Sequence, residues 1–148
     1  MNAADQFHIG IVVDDLDTAL EDLGGLFGYQ WCPVLAIETP VVLPKGEFTL
    51  DLHFTYSKAA PRVELIKSVA GTLWAPATGS GIHHAGYWSD DVAADGRLLA
   101  ARGYAEEAKG VGPDGTAVWS YHRSVGGPRI ELVSRQLESG LASYWASG

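Results

Sequence analysis

Hydrophobic and polar positions near the start of the chain predict a strand and then a helix. The run from Phe7 to Val13 is apolar and rich in β-branched residues, which is typical of a strand covered on both faces. Asp14 and Asp15 follow with carboxylates that can cap a helix N-terminus. Apolar residues then recur at helical spacing, at Leu16, Leu20, Leu23 and Phe27. Gly28 is placed to end this helix, because glycine readily adopts the left-handed conformation after a last turn.

The same order returns in the second half of the chain. The run from Ile82 to Trp88 predicts a strand, Asp90 or Asp91 supplies the cap, and Gly103 is placed to end a second helix. The apolar positions of this helix are Val92, Leu98 and Leu99. Each half of the chain therefore begins with a strand followed by a helix.

Strand patterns follow the first helix. Residues 31–38 predict a strand that ends before Pro40, because proline cannot donate to a sheet ladder. From Phe48 to Tyr56 apolar and polar side chains alternate, which predicts a strand with one buried face. A turn then leads into a short strand that contains Glu64.

The second helix is followed by a similar but weaker pattern. The region of Glu106 shows no regular pattern, and residues 110–115 are rich in turn-forming types. Residues 117–124 predict a strand, and a turn leads into a last strand that contains Glu131. Each half is thus a predicted βαβββ module, which places the chain in the α+β class.

We expect the whole chain, residues 1–148, to form one domain. Module one covers about 6–67, a linker about 68–80, module two about 81–136, and a tail 137–148. The tail predicts a short helix whose apolar residues can dock on the domain: Leu141, Tyr144 and Trp145.

Two short motifs occur once in each module. The run 7–15 resembles the run 83–91, and aligning their Asp-Asp pairs places His84 opposite His8. The motif Pro-Arg-x-Glu-Leu occurs at 61–65 and again at 128–132. Each module therefore supplies a histidine from its first strand and a glutamate from its last. If the modules pack face to face these side chains converge, and imidazole with carboxylate is a common ligand combination for divalent metals.

Composition narrows the choice of partners and location. The chain is 47% hydrophobic and 19% charged, and its formal net charge of −8 disfavours nucleic acids and anionic membranes as partners. Cys32 is the only cysteine, which excludes an intrachain disulfide and fits a reducing compartment. The sequence shows neither an apolar run of membrane-spanning length nor a signal-peptide pattern. We therefore expect a cytoplasmic protein that acts on a small molecule.

The paired modules resemble the vicinal oxygen chelate superfamily, which includes glyoxalase I. The branch that resembles methylmalonyl-CoA epimerase is the most similar. The motifs that carry this second resemblance are Glu64-Leu65-Ile66, Gly81-Ile82-His83-His84-Ala85, Asp90-Asp91 and Arg102-Gly103-Tyr104. The resemblance extends from about Phe7 to Gln136 and implies a curved mixed sheet, a half-barrel, around a central cavity. It also implies that the protein is a homodimer, because curved half-barrels leave edges and faces to cover. The site could then lie within one chain or between two, and the sequence does not decide which.

The resemblance implies that a divalent metal ion is bound by His8, Glu64, His84 and Glu131. Zn, Ni, Co, Mn and Fe all suit two imidazoles and two carboxylates, and the pattern does not choose among them. Gly10 and Gly86, each two residues after a histidine, leave space at the imidazoles. Such an ion chelates two neighbouring substrate oxygens and stabilises an enolate, while Glu131 or Glu64 removes the proton. The predicted function is a metal-dependent isomerase, epimerase or lyase for a small oxygen-rich metabolite.

A purely structural interpretation of the four residues is also available. Histidines in strands are commonly hydrogen-bonded core residues, and Arg62 and Arg129 share strand faces with the two glutamates and could pair with them. This interpretation requires the same coincidence at four matching positions. The metal interpretation explains all four at once.

Aromatic residues suggest the lining of a substrate pocket, although aromatic side chains are also common in cores. The candidates are Trp31, Trp74, Trp88 and Trp119, of which Trp88 shares a strand face with His84. Lysine and arginine are scattered along the chain, so neither coenzyme A nor glutathione is favoured. A hydrophobic or aromatic metabolite is equally compatible.

Five further residues carry side chains capable of chemistry. His83 faces away from His84 and is predicted to support the site rather than to bind the metal. Glu47 lies where epimerase relatives keep a second base, but it follows a turn and a solvated loop position is favoured, and Asp51 is a similar weak candidate. His53 and His122 lie on later strands, and His122 is predicted to serve packing or the surface.

Two other functions remain open. An Fe(II) extradiol-type dioxygenase could use His8, His84 and Glu131, but Glu64 would occupy a position that oxygen needs. A metal-free binding protein of the drug-sequestering kind could use the aromatic walls alone, although such relatives generally lack the full ligand set. Elemental analysis of the purified protein separates the metal-binding alternatives from the metal-free one.

Overall fold

The computed structural model describes residues 1–148 as two βαβββ modules followed by a C-terminal helix. The first module contains β1 (Gln6–Val13), α1 (Leu16–Phe27), β2 (Leu35–Leu43), β3 (Gly46–Tyr56) and β4 (Arg62–Lys67). The second contains β5 (His84–Ser89), α2 (Val92–Ala101), β6 (Ala105–Val111), β7 (Ala117–Arg123) and β8 (Arg129–Ser134). The predicted helix of the tail is present as α3 (Glu138–Trp145). Short 3₁₀ turns precede β1 and α3 (Ala3–Asp5 and Arg135–Leu137).

The strands form a closed barrel, which corrects the expectation of a half-barrel. Their order is β1–β4–β3–β2–β6–β7–β8–β5, and β5 pairs with β1 to complete the ring. The sheet is mixed, because β1 with β4 and β5 with β8 run parallel whereas the other neighbours run antiparallel. The second junction, between β2 and β6, consists of the pairs Val41–Gly110 and Val42–Lys109. Both outer strands of each module thus find a partner in the other module, and the sheet has no free edge.

Two strands differ from their predicted extents. β2 runs through Pro40, which pairs with Thr49 of β3 and lies just before the residues that pair with β6. The missing amide hydrogen is tolerated there because proline sits beside the short β2–β6 junction. The region of Glu106 belongs to β6, although its outward polar residues hide the strand pattern.

Helices α1 and α2 begin at the predicted carboxylates. Asp15 accepts a hydrogen bond from the Thr18 amide and Asp91 from the Ala94 amide, each at 2.9 Å. Gly28 ends α1 with a φ of 74°, in the left-handed region. Phe27 and Leu98 were expected to face the core but are 71% and 60% exposed.

The helices cover the outside of the barrel, and most of the core lies inside it. α1 packs through Leu16 on Val63 and Leu65, and α2 packs through Val92 and Leu99 on Leu132. The interior cluster contains Val12, Val41, Leu43, Leu52, Ile66, Trp74, Ala108 and Tyr121. Its Trp74 comes from the linker, so this segment helps to fill the barrel. No helix combines the length and the apolar character needed to cross a membrane.

Candidate metal centre

The structure brings the four predicted ligands together inside the barrel of one chain. They lie on four consecutive strands of the ring, Glu64 on β4, His8 on β1, His84 on β5 and Glu131 on β8. All four side chains are buried. Because β1 and β5 are adjacent, the seam between the two modules places one histidine from each module at the same level.

Strand register explains why the side chains meet. Glu64 pairs with Gly10, which in turn pairs with His84, and these three residues form one row across the sheet. A second row contains His8, Gly86 and Glu131. Each row therefore carries two candidate ligands on either side of a glycine.

The central glycines make room for the imidazole rings of the neighbouring strand. A Cβ atom built on Gly10 would overlap the ring of His84, and one built on Gly86 would overlap the ring of His8. The sequence suggested that each glycine clears space for the histidine of its own strand. The structure shows that each clears space for the histidine of the other module.

The donor atoms are spaced like the vertices of a coordination polyhedron. Nε2 of His8 and Nε2 of His84 are 3.0 Å apart, and Oε2 of Glu64 and of Glu131 lies 3.0–3.4 Å from each of them. Around a metal ion with ligands at about 2.1 Å, neighbouring donors are about 3.0 Å apart for right-angle coordination and about 3.4 Å for tetrahedral coordination. All four donor atoms lie within 4.8 Å of one another.

The two carboxylate oxygens that face the cluster also lack other hydrogen-bond partners. Oε2 of Glu64 and Oε2 of Glu131 are buried and accept no conventional hydrogen bond outside the cluster. Arg62, offered by the structural interpretation as a partner, instead donates to the backbone oxygen of Ser57 at 2.9 Å. Arg129 pairs with Glu107 at 3.1 Å. The residues thus fit a divalent ion, whose charge would balance the two carboxylates in the interior.

Mutual electrostatics hold the metal-free cluster in an ionised state. Burial disfavours the charged form of His8, but hydrogen bonds to Glu131 and Glu64 outweigh it and raise the pKa to about 9. The pKa of His84 is raised in the same way against its burial. Burial opposes ionisation of Glu64 and Glu131, yet the two histidines lower the pKa of both carboxyl groups. A metal ion at this centre would replace the histidine protons.

His83 supports His84 through a chain of hydrogen bonds. Nε2 of His83 lies 2.8 Å from the backbone oxygen of Leu73, which can only accept, so this nitrogen carries the hydrogen. Nδ1 of His83 is then an acceptor, and it lies 3.0 Å from Nδ1 of His84. His84 therefore donates from Nδ1, which leaves its Nε2 to bind a metal ion once the proton held there by the glutamates is displaced. Burial lowers the pKa of His83 to about 4, which keeps its ring neutral.

A cavity of about 550 Å³ lies beside the cluster, and Glu64 and Glu131 form part of its wall. Trp74 and Trp119, two of the predicted pocket residues, line it. Trp31 does not, because it stacks on Tyr29 with ring centroids 5.2 Å apart. Trp88 also lies outside the lining: it shares the strand face of His84 but stacks on Phe7, with centroids 3.9 Å apart.

Two tyrosines that the sequence analysis did not single out flank the glutamates. Tyr56 pairs in register with Glu64, and Tyr121 pairs in register with Glu131. Burial, followed by the charges of the two glutamates, raises the pKa of both phenols well above the usual value, so they remain hydrogen donors. A third repeated motif in the sequence could have identified them. An aromatic residue, a hydroxyl-bearing residue and a tyrosine follow one another at 54–56 and again at 119–121.

The remaining sequence candidates lie away from the cluster. Glu47 is exposed at the start of β3, and Asp51 pairs with His53 at 2.9 Å on the outer face of the same strand. None of these three residues lines the cavity. His122 is buried outside the barrel against Gly96 of α2, with Nε2 2.8 Å from the Ser120 hydroxyl.

Solved structures of similar fold include several epimerases. A Streptomyces coelicolor methylmalonyl-CoA epimerase in complex with 2-nitronate-propionyl-CoA is 20% identical with a TM-score of 0.58, covering 88% of this chain and 96% of that one. The methylmalonyl-CoA epimerase from Mycobacterium tuberculosis is 20% identical with a TM-score of 0.58, covering 94% of this chain and 97% of that one. A Bacillus halodurans protein described as hypothetical is 15% identical with a TM-score of 0.58, covering 88% of this chain and 93% of that one. At such identities the likeness concerns the fold.

Sequence comparison shows the family directly. Among curated proteins none matches the chain significantly. The family described as Glyoxalase/Bleomycin resistance protein/Dioxygenase superfamily matches residues 7–121, which is most of the chain and includes three of the four clustered residues. The repeated modules and the fold agree with this match. The chain belongs to the glyoxalase, bleomycin resistance protein and dioxygenase superfamily.

Proposed function

We propose that the protein is a divalent-metal-dependent enzyme that removes a proton next to a carbonyl group, as an isomerase, epimerase or lyase does. The observation that carries the proposal is the convergence of His8, His84, Glu64 and Glu131 on one buried point at the wall of a cavity. The family match and the epimerases of similar fold support the same chemistry.

Each residue has a role in this proposal. His8 and His84 would hold the ion through Nε2, and Glu64 and Glu131 would hold it through carboxylate oxygens. When bound, the ion supplies Lewis-acid polarisation of two neighbouring substrate oxygens. Because both carboxylates also border the cavity, either Glu131 or Glu64 can accept the proton that the substrate loses.

The two phenols complete the polar part of the site. Tyr56 and Tyr121 line the cavity beside the glutamates and keep their hydroxyl hydrogens. Each can donate a hydrogen bond to a substrate oxygen as negative charge develops there. The surrounding apolar wall excludes water from this charge, which strengthens both interactions.

Metal content is the first test of the proposal. Protein purified without added metal is analysed for Zn, Ni, Co, Mn and Fe before and after dialysis against a chelator. We expect about one ion per chain, lost on chelation and restored by adding back that ion. A protein without bound metal that also fails to take up any of these ions would contradict the proposal and favour the metal-free binding protein.

Proton transfer is tested with 2-hydroxyacetophenone, which carries two neighbouring oxygens and an acidic methylene. We expect the loaded protein to catalyse exchange of this methylene with D₂O, followed by NMR, and chelation to abolish the exchange. Glu131→Gln or Glu64→Gln should lower the exchange rate at least about a hundredfold, while the exposed Glu47→Gln should leave it unchanged. Oxygen-consuming turnover specific to Fe(II) would instead assign the dioxygenase function.

A further inference from the structure

The cavity beside the cluster is largely apolar, although two carboxylates form part of its wall. Thirteen of its eighteen lining residues are hydrophobic. Trp74, Trp119 and Tyr121 pack edge to face within it, with ring centroids 5.7–6.0 Å apart. Leu52 and Phe54 of β3 form part of the opposite wall. A volume of about 550 Å³ suits a compact molecule of one or two rings.

No cationic side chain lines this cavity. Six of the ten lysines and arginines have partners elsewhere, namely Lys45, Lys58, Arg62, Lys109, Arg129 and Arg135. The other four also lie outside the lining: Lys67, Arg97, Arg102 and Arg123. A phosphate group placed in the cavity would face apolar walls and two carboxylates, without the cations that phosphate recognition requires.

The C-terminal segment closes one side of the cavity with apolar side chains. Leu137 and Leu141 line it, together with Tyr144 of α3. Tyr144 ties this helix to the barrel by donating to the backbone oxygen of Pro33 at 2.7 Å. This wall leaves no charged group to receive the polar end of a long thioester.

We infer that the substrate is a compact, hydrophobic molecule without phosphate, whose apolar ring lies against Trp119 and whose neighbouring oxygens face the cluster. The inference rests on the proposed function for the position of the oxygens, whereas the cavity alone carries the hydrophobic and phosphate-free character. It separates this protein from the similar folds described as bound to coenzyme A derivatives.

Three α-hydroxy ketones test this inference, because they share the chelating oxygens and differ only in the attached group. Binding of 2-hydroxyacetophenone, hydroxyacetone and dihydroxyacetone phosphate to the Zn-loaded protein is measured by calorimetry, with coenzyme A as a fourth probe. We expect the phenyl compound to bind at least about tenfold more tightly than hydroxyacetone, because its ring is buried. The two phosphate-bearing probes should not saturate. Equal or tighter binding of either phosphate probe would overturn the inference.

Repeating the titrations after chelation separates this inference from the proposed function. If the phenyl compound binds equally well with and without metal, the hydrophobic class holds and the metal-dependent function fails. If metal is required but the phosphate compound binds best, the metal function survives and the substrate class is wrong.

Paired variants locate the binding. Trp119→Ala should weaken binding of 2-hydroxyacetophenone at least about tenfold, and Trp31→Ala, which alters a ring outside the cavity, should not. Leu137 lines the cavity but is 38% exposed, so its replacement is compatible with folding. Leu137→Lys should raise the affinity for dihydroxyacetone phosphate several-fold over Leu137→Gln, because it supplies the missing cation. An unchanged affinity in both pairs would contradict the assigned location.

Discussion

Glycine at two positions of the sheet decides whether the histidines can meet. Gly10 and Gly86 each lie between a histidine and a glutamate in a row across the strands. Neither has a positive φ, so the requirement for glycine comes from space and not from backbone conformation. A methyl group at either position would displace an imidazole from the cluster.

Gly10→Ala and Gly86→Ala should therefore impair metal binding more than they impair folding. We expect the affinity for Zn, measured by competition with a chelator, to fall at least about a hundredfold, and the free energy of unfolding of the metal-free protein to fall by about 1–3 kcal/mol. Gly25→Ala is the matched control, because nothing lies within 4 Å of its new methyl group. Unchanged affinity in Gly10→Ala would show that His84 is not a ligand in its present orientation.

His83 should affect metal binding without binding the metal. Because it fixes the Nδ1 hydrogen of His84, His83→Phe should lower the affinity for Zn about tenfold to a hundredfold. Backbone order around the site should persist, which an NMR spectrum of the metal-free variant can check. His53→Ala provides the control, since that histidine pairs with Asp51 away from the cavity. Equal losses in both variants would argue against the hydrogen-bond chain.

Individual site residues were predictable where a sequence motif is repeated. They were not predictable where their role depends on which side chains pack against them in the folded barrel. The convergence of His8 and Glu64 was predictable because their motifs return in the second module. Strand alternation placed Trp88 on the correct face, but it could not show that Phe7 and Trp145 pack on this ring instead of substrate. Tyr121 was missed because an aromatic residue in an apolar strand is ordinarily part of the core.

At the level of elements, α3 has weak intrinsic stability although it lines the cavity. Its N-terminus has no side-chain cap, and none of its residues is fully buried. Its anchors include the Tyr144 hydrogen bond to Pro33, the stacking of Arg62 on Trp145 with the guanidinium 4.0 Å from the ring centroid, and the packing of Trp145 on Phe7, Tyr56 and Trp88. The helix nevertheless forms one wall of the cavity.

We expect α3 to exchange its amide hydrogens faster than the strands of the barrel. In hydrogen–deuterium exchange followed by mass spectrometry, residues 138–145 should be labelled well before β1 and β5, because the helix lacks a side-chain cap and none of its residues is fully buried. Addition of 2-hydroxyacetophenone to the loaded protein should slow this labelling selectively. Exchange of α3 at the rate of the barrel strands would contradict this ranking.

The elements themselves were largely predictable, but their closure into a barrel was not. Caps, turns and alternation are local signals, so both helices and most strands follow from the sequence. The β2–β6 junction joins Val41 to Gly110 and has no local signature, since its register depends on how the two modules pack. β6 was missed because its outward glutamates resemble a loop.

For the molecule as a whole, the closed ring places all four candidate ligands in a single chain. A partner subunit is therefore not needed to complete the cluster. The homodimer expected from the sequence rested on sheet edges and faces that need cover, and the closed barrel has no free edge. Association of two chains, if it occurs, would use other surfaces.

The charged state of the cluster predicts how the metal-free protein responds to pH. His8 has a pKa of about 9 in the folded protein against 6.5 for a free side chain, so its stabilisation is present below about pH 6.5 and is lost as pH rises through 9. The lowered pKa of Glu64 and Glu131 acts in the opposite direction, and their stabilisation is lost as pH falls below about 4.5. This cluster therefore stabilises the metal-free fold most between about pH 4.5 and about pH 6.5.

Thermal unfolding of the chelated protein should accordingly show a Tm that declines between pH 6.5 and 9. In His8→Gln the decline should be smaller, because the main titrating group is gone. The Zn-loaded protein should show the reverse tendency, since protons compete with the metal for the histidines. A Tm of the chelated protein that rises over this interval would contradict the proposed ion pairing.

The two glutamates are equivalent by the internal repeat, yet their surroundings are not. The linker after β4 and the C-terminal segment after β8 differ in sequence, and they contribute Trp74 and Leu137, respectively, to the cavity lining. A chiral or prochiral substrate seated in such a cavity would present one face to Glu64 and the other to Glu131. The linker and the C-terminal segment would then decide the handedness of the reaction, while the duplicated strands supply the reactive groups.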